Sequence, residues 1–213
     1  MPALAVAGKK VHTPPMARWR SLGLVALGAL LTLLVVAGAS AASGLLGGPD
    51  TETLEAPAYS FEHPAEWQPI EGVSFPLAEA AGKEDVGEHT IGLDPDNWMT
   101  VFAGDSGIQI DERNVDQFVA QAKPFWAAVA KRTDSRLLAE PYRVNEAGLP
   151  GMRTRMAITS ARGVRVEDEV TMLFRDETNY VFTCQSRPDR ATEMTAGCGK
   201  VLESFRGKPV APR

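Results

Sequence analysis

The longest apolar run of the chain lies near its N-terminus and predicts a segment that enters a membrane. Residues 22–39 are 18 consecutive positions without a charge, and the uncharged stretch continues to Leu46. A run of this length is typical of a transmembrane helix. Four basic residues precede the run, and the first acidic residue is Asp50. Because positive charge is retained in the cytoplasm, we expect a cytoplasmic tail at 1–20, a transmembrane segment at 21–46 and an exported remainder.

A cleaved signal peptide is the alternative interpretation of the same segment. Small residues at 37–39 and 39–41 fit a cleavage site, and cleavage near Ala41 would give a secreted protein. The long basic leader and the length of the apolar core favour the uncleaved anchor. Both interpretations stay open, and we prefer a single-pass membrane protein with its N-terminus in the cytoplasm.

After the leader, one stretch has a clear helical period. Its apolar residues recur at intervals of three and four, which predicts an amphipathic helix with one buried face. Asp111 or Asn114 can cap its start, and Pro124 predicts a kink or break. The apolar positions are Val115, Phe118, Val119, Ala122, Phe125, Trp126 and Val129.

Strict alternation of apolar and polar residues predicts an antiparallel hairpin from 152–158 and 164–174. A turn at 161–163 joins the two strands and places Arg155 opposite Glu169, a favourable cross-strand pair.

Further strands are predicted from local composition. Residues 59–61, 98–103, 107–110 and 180–184 are rich in β-branched and aromatic residues. A turn at 104–107 would join the second and third of these.

The last periodic stretch predicts a second helix. Ser186 is a candidate N-cap, and Pro188 is tolerated in a first turn. Its apolar face is formed by Met194, Cys198, Val201, Leu202 and Phe205. Residues 47–57, rich in Gly, Pro and acid, predict a linker, so we expect an extracytoplasmic domain at 58–207 and a tail at 208–213.

Charge and cysteine content narrow the class of protein. The chain has 22 basic and 27 acidic residues, a net charge of −5, and the balance is more acidic once the basic leader is set aside. An acidic surface argues against nucleic acid as a partner.

The two cysteines, Cys184 and Cys198, both follow the predicted export segment. Outside the cytoplasm, paired thiols usually oxidise to a disulfide. Without a CxxC motif or a nearby histidine, a zinc site is the poorer alternative to a disulfide.

Several motifs together resemble the PsbP-like fold. Phe61, Pro64 and Trp67 form an F-x-x-P-x-x-W signature, Gly148–Gly151 is a Gly-Leu-Pro-Gly turn, and the last helix closes with 202–205. The likeness covers about 57–207 and is closest to small actinobacterial cell-envelope proteins, many of them lipoproteins. It implies an α/β (α+β) fold with a central antiparallel sheet flanked by two main helices. That group also has one cysteine after the sixth-strand region and one in the final helix. The lipidated cysteine of the lipoprotein members is absent here, and no shared catalytic, cofactor or metal motif is carried over.

Three sequence features resemble catalytic or metal sites, but each has a simpler structural interpretation. Gly104–Gly107 reads Gly-Asp-Ser-Gly, as around the serine of some proteases, but it lacks the Gly-Pro continuation and predicts a turn. His63 with Glu62 and Glu66, and His89 with Glu84, Asp85 and Glu88, have no recognised metal-ligand spacing. Residues 94–97 fail the EF-hand pattern. We therefore assign no catalytic, cofactor-binding or metal residue.

Two further features concern the core. Asp168 falls on the buried face of its strand between Val166 and Val170, where a carboxylate must be paired or shift its pKa. It is either a functional acid or a structural feature such as a strand end, bulge or ion pair. Trp67, Trp98, Phe125 and Trp126 are mostly core by spacing, although a cleft lined by some of them would hold an apolar ligand.

The sequence therefore predicts a membrane-tethered, non-enzymatic binding or scaffold module at the cell envelope. Its expected partner is an unknown envelope protein or small ligand, with no cofactor. The alternatives are an exported hydrolase using Ser106 or Asp168, and a carrier of a lipid or small apolar ligand. A solid core would favour the scaffold, and a large apolar cavity the carrier.

Overall fold

The computed structural model describes residues 50–72 and 87–208. These belong to one compact unit, Pro49–Arg213. The cytoplasmic tail predicted at 1–20 and the transmembrane segment predicted at 21–46 lie outside the described residues. Within residues 50–72 and 87–208, no helix combines the length and the apolar character needed to cross a membrane.

The described chain forms two antiparallel sheets. The larger has seven strands in the order β3-β4-β5-β9-β8-β7-β6, and the smaller has three in the order β1-β2-β10. The strands are β1 Thr51–Glu55, β2 Tyr59–Pro64, β3 Gln68–Pro69, β4 Glu88–Asp94, β5 Asn97–Asp105, β6 Arg136–Glu146, β7 Leu149–Thr159, β8 Arg165–Arg175, β9 Thr178–Ser186 and β10 Arg206–Gly207.

Two helices cover opposite faces of the large sheet. Helix α1, Val115–Arg132, packs on β6 and β7, and helix α2, Ala191–Ser204, packs on β2 and β9. Side chains alternate between the faces of a strand, and β5 divides its residues accordingly. Met99, Val101 and Ala103 join the core under α2, whereas Phe102 joins the core under α1. The predicted α+β architecture, a sheet flanked by two main helices, is confirmed.

Both predicted helices are present. Helix α1 begins at Val115, the first residue of the predicted apolar face, and continues through Pro124 to Arg132, so no break occurs there. Asn114 occupies the N-cap position, but its side chain bonds the carbonyl of Gln109 instead of the helix. All five apolar residues of the predicted second face are buried. Ser186, however, ends β9, and a 3-10 turn at Pro188–Arg190 precedes α2.

The predicted hairpin has the expected register, with Arg155 opposite Glu169. The ion pairs are diagonal: Arg153 Nε lies 3.5 Å from Glu169 Oε1, and an Arg155 guanidinium nitrogen lies 3.8 Å from Glu167 Oε2. Long side chains reach diagonal neighbours across a twisted pair of strands.

Two local predictions were wrong. Residues 107–110 form no strand and lead into α1, because β5 pairs with β4 and β9 instead. Residues 51–55, within the predicted linker, form β1, which pairs along its length with β2.

Candidate functional site

A cavity of about 510 Å³ lies between the second half of α1 and the large sheet. Phe125, Trp126 and Val129 form its helical wall. Met156 and Ile158 on β7 and Val170 on β8 extend the apolar lining. Small-molecule sites have volumes of this order and combine an apolar lining with a few placed polar groups. The cavity is therefore the candidate site of the domain.

The floor of the cavity is one row of residues across four strands. Trp98 on β5 pairs with Gln185 on β9, and Gln185 pairs with Asp168 on β8. Asp168 in turn pairs with Met156 on β7. Directly opposed residues of neighbouring strands point to the same face of a sheet. The register alone therefore brings an indole, an amide, a carboxylate and a thioether together under α1.

Asp168 is the unusual member of this row. Its Oδ1 is buried and has no hydrogen-bond partner among the described residues. Burial raises the pKa of the Asp168 carboxyl to about 7, because a low-dielectric surrounding disfavours the charged form. The interpretation of Asp168 as an ion-paired or strand-end residue does not hold, because Asp168 lies mid-strand without an ion pair in the described chain.

Thr183, two residues before Gln185 on β9, also has a buried oxygen, Oγ1, without a hydrogen-bond partner within residues 50–72 and 87–208. Thr183 and Asp168 both line the cavity. Buried polar atoms are almost always satisfied by protein, water or ligand. Two unsatisfied oxygens on one cavity surface therefore mark a polar subsite in an otherwise apolar space.

The aromatic residues predicted to form core divide into two groups. Trp67 is buried in the core under α2, away from the cavity. Trp98 and Trp126 are buried and line the cavity, whereas the Phe125 side chain is 49% exposed. The prediction that Phe125 belongs to the core was therefore wrong. Phe125 lies where α1 borders the cavity. The predicted aromatic-lined cleft is present as Trp98, Phe125 and Trp126.

A polar cluster fixes one edge of the cavity. Asp96, in the β4–β5 turn, forms an ion pair with Arg162 at 3.2 Å and lies 3.3 Å from the hydroxyl of Ser160. The amide of Gln185 donates to the carbonyl of Asp96 at 3.3 Å. The β4–β5 turn is thereby held against the β7–β8 turn, whose residues 160–161 line the cavity.

Ser106, the serine of the protease-like motif, has its hydroxyl within hydrogen-bond distance of two backbone carbonyls. Ser106 Oγ lies 2.6 Å from the carbonyl oxygen of Ile108 and 2.8 Å from that of Glu177. His89 Nδ1 lies 2.8 Å from the hydroxyl of Tyr59, and His63 Nδ1 lies 2.9 Å from the carbonyl of Pro64. The structure therefore does not bring Ser106 together with His63 or His89. Gly104 and Asp105 end β5, and Ser106 and Gly107 follow the strand.

The residues considered as metal ligands, and not assigned as such, are also separated. His63 with Glu62 belongs to β2 of the small sheet, whereas His89 and Glu88 belong to β4 of the large one. Glu84 and Asp85 lie outside the described residues. Within the described ranges, no three His, Cys, Asp or Glu side chains are grouped as a metal site.

Cys184 on β9 and Cys198 on α2 lie at disulfide distance, with their sulfur atoms 2.03 Å apart. Cys184 alternates with Thr183 and Gln185 along β9, so the disulfide lies on the face opposite the cavity. It links α2 to the sheet and contributes no atom to the candidate site.

Comparison with known proteins gives the fold. No protein-family model and no curated protein matches the chain significantly. Among solved structures, cyanobacterial PsbP (CyanoP) from Synechocystis sp. PCC 6803 is similar with a TM-score of 0.50 and 13% identity, over 78% of this chain and 96% of that one. A protein of Bacteroides thetaiotaomicron is similar with a TM-score of 0.48 and 10% identity, over 75% of this chain and 49% of that one. LpqN, involved in cell envelope biogenesis of Mycobacterium tuberculosis, has a TM-score of 0.42 and 13% identity, over 75% and 91% of the two chains. Residues 50–72 and 87–208 of this chain have a PsbP-like fold.

Proposed function

We propose that the domain is a non-enzymatic binding module that carries a small apolar ligand in the cavity beneath α1, outside the cytoplasm and tethered through residues 21–46. The observation that carries this proposal is the cavity itself, about 510 Å³ with three aromatic side chains in its lining. A sheet protein that served only as a scaffold would gain stability by filling this space with side chains.

The cavity chemistry favours binding over hydrolysis. Among residues 50–72 and 87–208, its lining holds one carboxylate, Asp168, and no histidine, lysine or cysteine. Nucleophilic catalysis needs a nucleophile with an adjacent base. Ser106 does not line the cavity, and its hydroxyl is engaged by backbone carbonyls.

The wall and floor fit an aromatic or alkyl body. Each buried CH₂ group of a ligand contributes about 0.8 kcal/mol, and aromatic pairs contribute roughly 0.5–1.5 kcal/mol more. Trp98 and Trp126 present their rings to the space, and Met156 adapts to irregular shapes.

A pair of variants on α1 tests the proposal. The probe is 2-phenylethanol, titrated calorimetrically into the full chain held in lipid nanodiscs, with empty nanodiscs as blank. Val129→Trp places an indole in the cavity and should abolish the binding heat. Ala128→Trp is the matched control, since Ala128 is exposed on the same helix and lies outside the lining. It should leave binding unchanged.

The result also distinguishes the carrier from the scaffold. Thermal unfolding of both variants establishes that each is folded. Binding that Val129→Trp removes and Ala128→Trp retains supports the carrier. No binding to the wild-type chain, or equal binding to all three proteins, contradicts it and leaves the scaffold as the better interpretation.

A further inference from the structure

We propose that the ligand is a cationic amine with an apolar body, whose ammonium group is held by Asp168 and Thr183 at the cavity floor. This inference rests on the proposed function and adds the chemistry of the ligand's polar end. It follows from which polar atoms the floor offers and which it lacks.

The floor offers acceptors. Asp168 Oδ1 and Thr183 Oγ1 are buried and unpartnered within the described part of the chain. Both are oxygens, and they belong to diagonal neighbours on adjacent strands, two register positions apart, since Thr183 pairs with Val170 and Gln185 with Asp168. An ammonium group has three donors and no acceptor, so one ligand nitrogen can satisfy both oxygens.

The surrounding charges agree with a cation. Asp168 and Arg132 are the charged residues of the lining, and Arg132 is exposed in the last turn of α1. Thr133, the C-cap residue of α1, lines the cavity, so the C-terminal end of this helix lies beside it. The C-terminal end of a helix carries partial negative charge, which favours a nearby cation.

The walls agree as well. An ammonium group within about 6 Å of an aromatic face is attracted by the ring, most strongly by an indole. Trp98 lies in the same cross-strand row as Asp168, and Trp126 lines the cavity from α1. Two indole rings and a carboxylate around one space form a site that favours an organic cation.

Other polar ends fit less well. A ligand carboxylate would face Asp168 without a basic partner at the floor, and two close carboxylates repel when both are ionised. A ligand hydroxyl has one donor, so it can donate to only one of the two oxygens. If it donates to Asp168, it must accept the hydroxyl proton of Thr183. The amine is therefore the preferred ligand, the alcohol weaker and the carboxylate excluded.

The pairing makes amine binding depend on pH. Burial raises the pKa of Asp168 to about 7, and an ammonium ligand needs the ionised form. Amine affinity should therefore fall as the pH drops below about 7, by about tenfold per unit once the carboxyl is mostly protonated. The groups that face Asp168 are Arg132 from α1, Trp98 from β5, Met156 from β7, Thr183 and Gln185 from β9, and, behind Gln185, the Asp96–Arg162 pair.

Three probes with one apolar body test the inference in the full chain in nanodiscs. They are 2-phenylethylamine, 2-phenylethanol and 3-phenylpropionate, each titrated calorimetrically at about pH 8 and about pH 5.5. We expect the amine to bind about tenfold or more tightly than the alcohol at the higher pH, and the carboxylate to bind weakest. At the lower pH the preference for the amine should disappear, while the affinity of the alcohol stays constant.

Variants test whether the residues of the cavity floor cause the preference for the amine over the alcohol. Asp168→Asn should remove the preference for the amine and its pH dependence, and should leave the alcohol affinity within about twofold, since the side chains are nearly isosteric. Thr183→Val should weaken the amine more than the alcohol. Glu167→Gln is the matched control, because Glu167 neighbours Asp168 on β8 but does not line the cavity, and it should change nothing.

Each outcome bears on the inference. Equal affinity for amine and alcohol, tighter binding of the carboxylate, or an amine preference that survives Asp168→Asn overturns it while leaving the apolar carrier in place. If none of the three probes binds the wild-type chain, the proposed function is contradicted and the inference fails with it.

Discussion

At the residue scale, the proposed binding chemistry depends most on the carboxyl group of Asp168. Its place in the alternation of β8 predicts burial, but nothing in the local sequence says whether it finds a partner. In the structure its Oδ1 is buried and unpartnered within the described residues, and it lies beside Gln185 in a cavity. A carboxyl in this setting is retained at a cost in stability, which is the usual mark of a functional group.

That cost should be visible as a pH dependence of stability. The folded protein holds the Asp168 proton up to about pH 7, whereas an unfolded aspartate releases it near pH 4. The folded state binds more protons in this window, so stability falls as the pH rises through it. Asp168→Asn should remove this fall and leave the variant more stable than wild type at about pH 8, on the order of a few kcal/mol.

Urea unfolding of the full chain at about pH 5 and about pH 8 measures this effect. The Glu167→Gln variant should keep the wild-type pH dependence, since Glu167 has its ion pair with Arg155 on the other face. If Asp168→Asn and wild type lose stability in parallel over the window, Asp168 is not the titrating group.

At the element scale, α2 depends on a glycine for its contact with the core. A Cβ atom at Gly197 would lie 2.2 Å from Cζ2 of the fully buried Trp67 ring, whereas a Cβ at Gly199 would meet nothing within 4 Å. Both glycines weaken the helix by their backbone freedom, but only Gly197 lets α2 approach the Trp67 indole.

Two alanine variants separate these contributions. Gly197→Ala should destabilise the domain by about 1–3 kcal/mol, because the buried ring cannot move without disturbing its neighbours. Gly199→Ala should stabilise it by about 0.5–1 kcal/mol through helix propensity. Chemical unfolding of both variants checks the prediction, and a stabilising Gly197→Ala would show that the contact is not tight.

The disulfide acts on the same element. Cys184 and Cys198 are 14 residues apart, and a closed loop of this size contributes roughly 3 kcal/mol in the chain-entropy model. We expect the Cys184→Ala, Cys198→Ala double variant to lose stability of this order in unfolding experiments. Alkylation and mass spectrometry of the unreduced wild type should find no free thiol, and two alkylated cysteines would contradict the pairing.

At the scale of the whole molecule, the two faces of the large sheet have separate tasks. The face under α2 is filled by aromatic residues of both sheets, among them Tyr59, Phe61, Phe182 and Phe205. The face under α1 has a smaller core and leaves the cavity open beside it. Under the proposed function, the face beneath α2 supplies most of the packed core and the face beneath α1 binds the ligand.

The placement of this domain in the cell is a further prediction. Since the basic residues of the leader precede the apolar run, the N-terminus should be cytoplasmic and the domain outside. Protease added to intact spheroplasts should digest the domain, while a cytoplasmic marker stays intact. Digestion only after the membrane is permeabilised would reverse the orientation.

The sequence by itself determined those features that depend on local periodicity. The apolar stripe from Val115 gave the start of α1, although the break predicted at Pro124 does not occur. The alternation around residues 161–163 gave the register of Arg155 with Glu169, and five spaced residues gave the buried face of α2. These patterns are local, because a helix or hairpin that buries one face must repeat at 3.6 or 2.0 residues. The signature at Phe61, Pro64 and Trp67, the turn at Gly148–Gly151 and the close of the last helix at 202–205 together gave the resemblance to the PsbP-like fold.

Only the tertiary structure decided the pairing of distant strands and, with it, the site. Whether β5 pairs with β4 or with residues 107–110 depends on partners the local composition does not specify. The row from Trp98 through Gln185 and Asp168 to Met156 spans four strands, so no window of sequence contains it. Thr183 and Gln185, polar residues within an apolar strand, were the signal available beforehand. Their meaning depends on the space between α1 and the sheet, which exists only once the chain is folded.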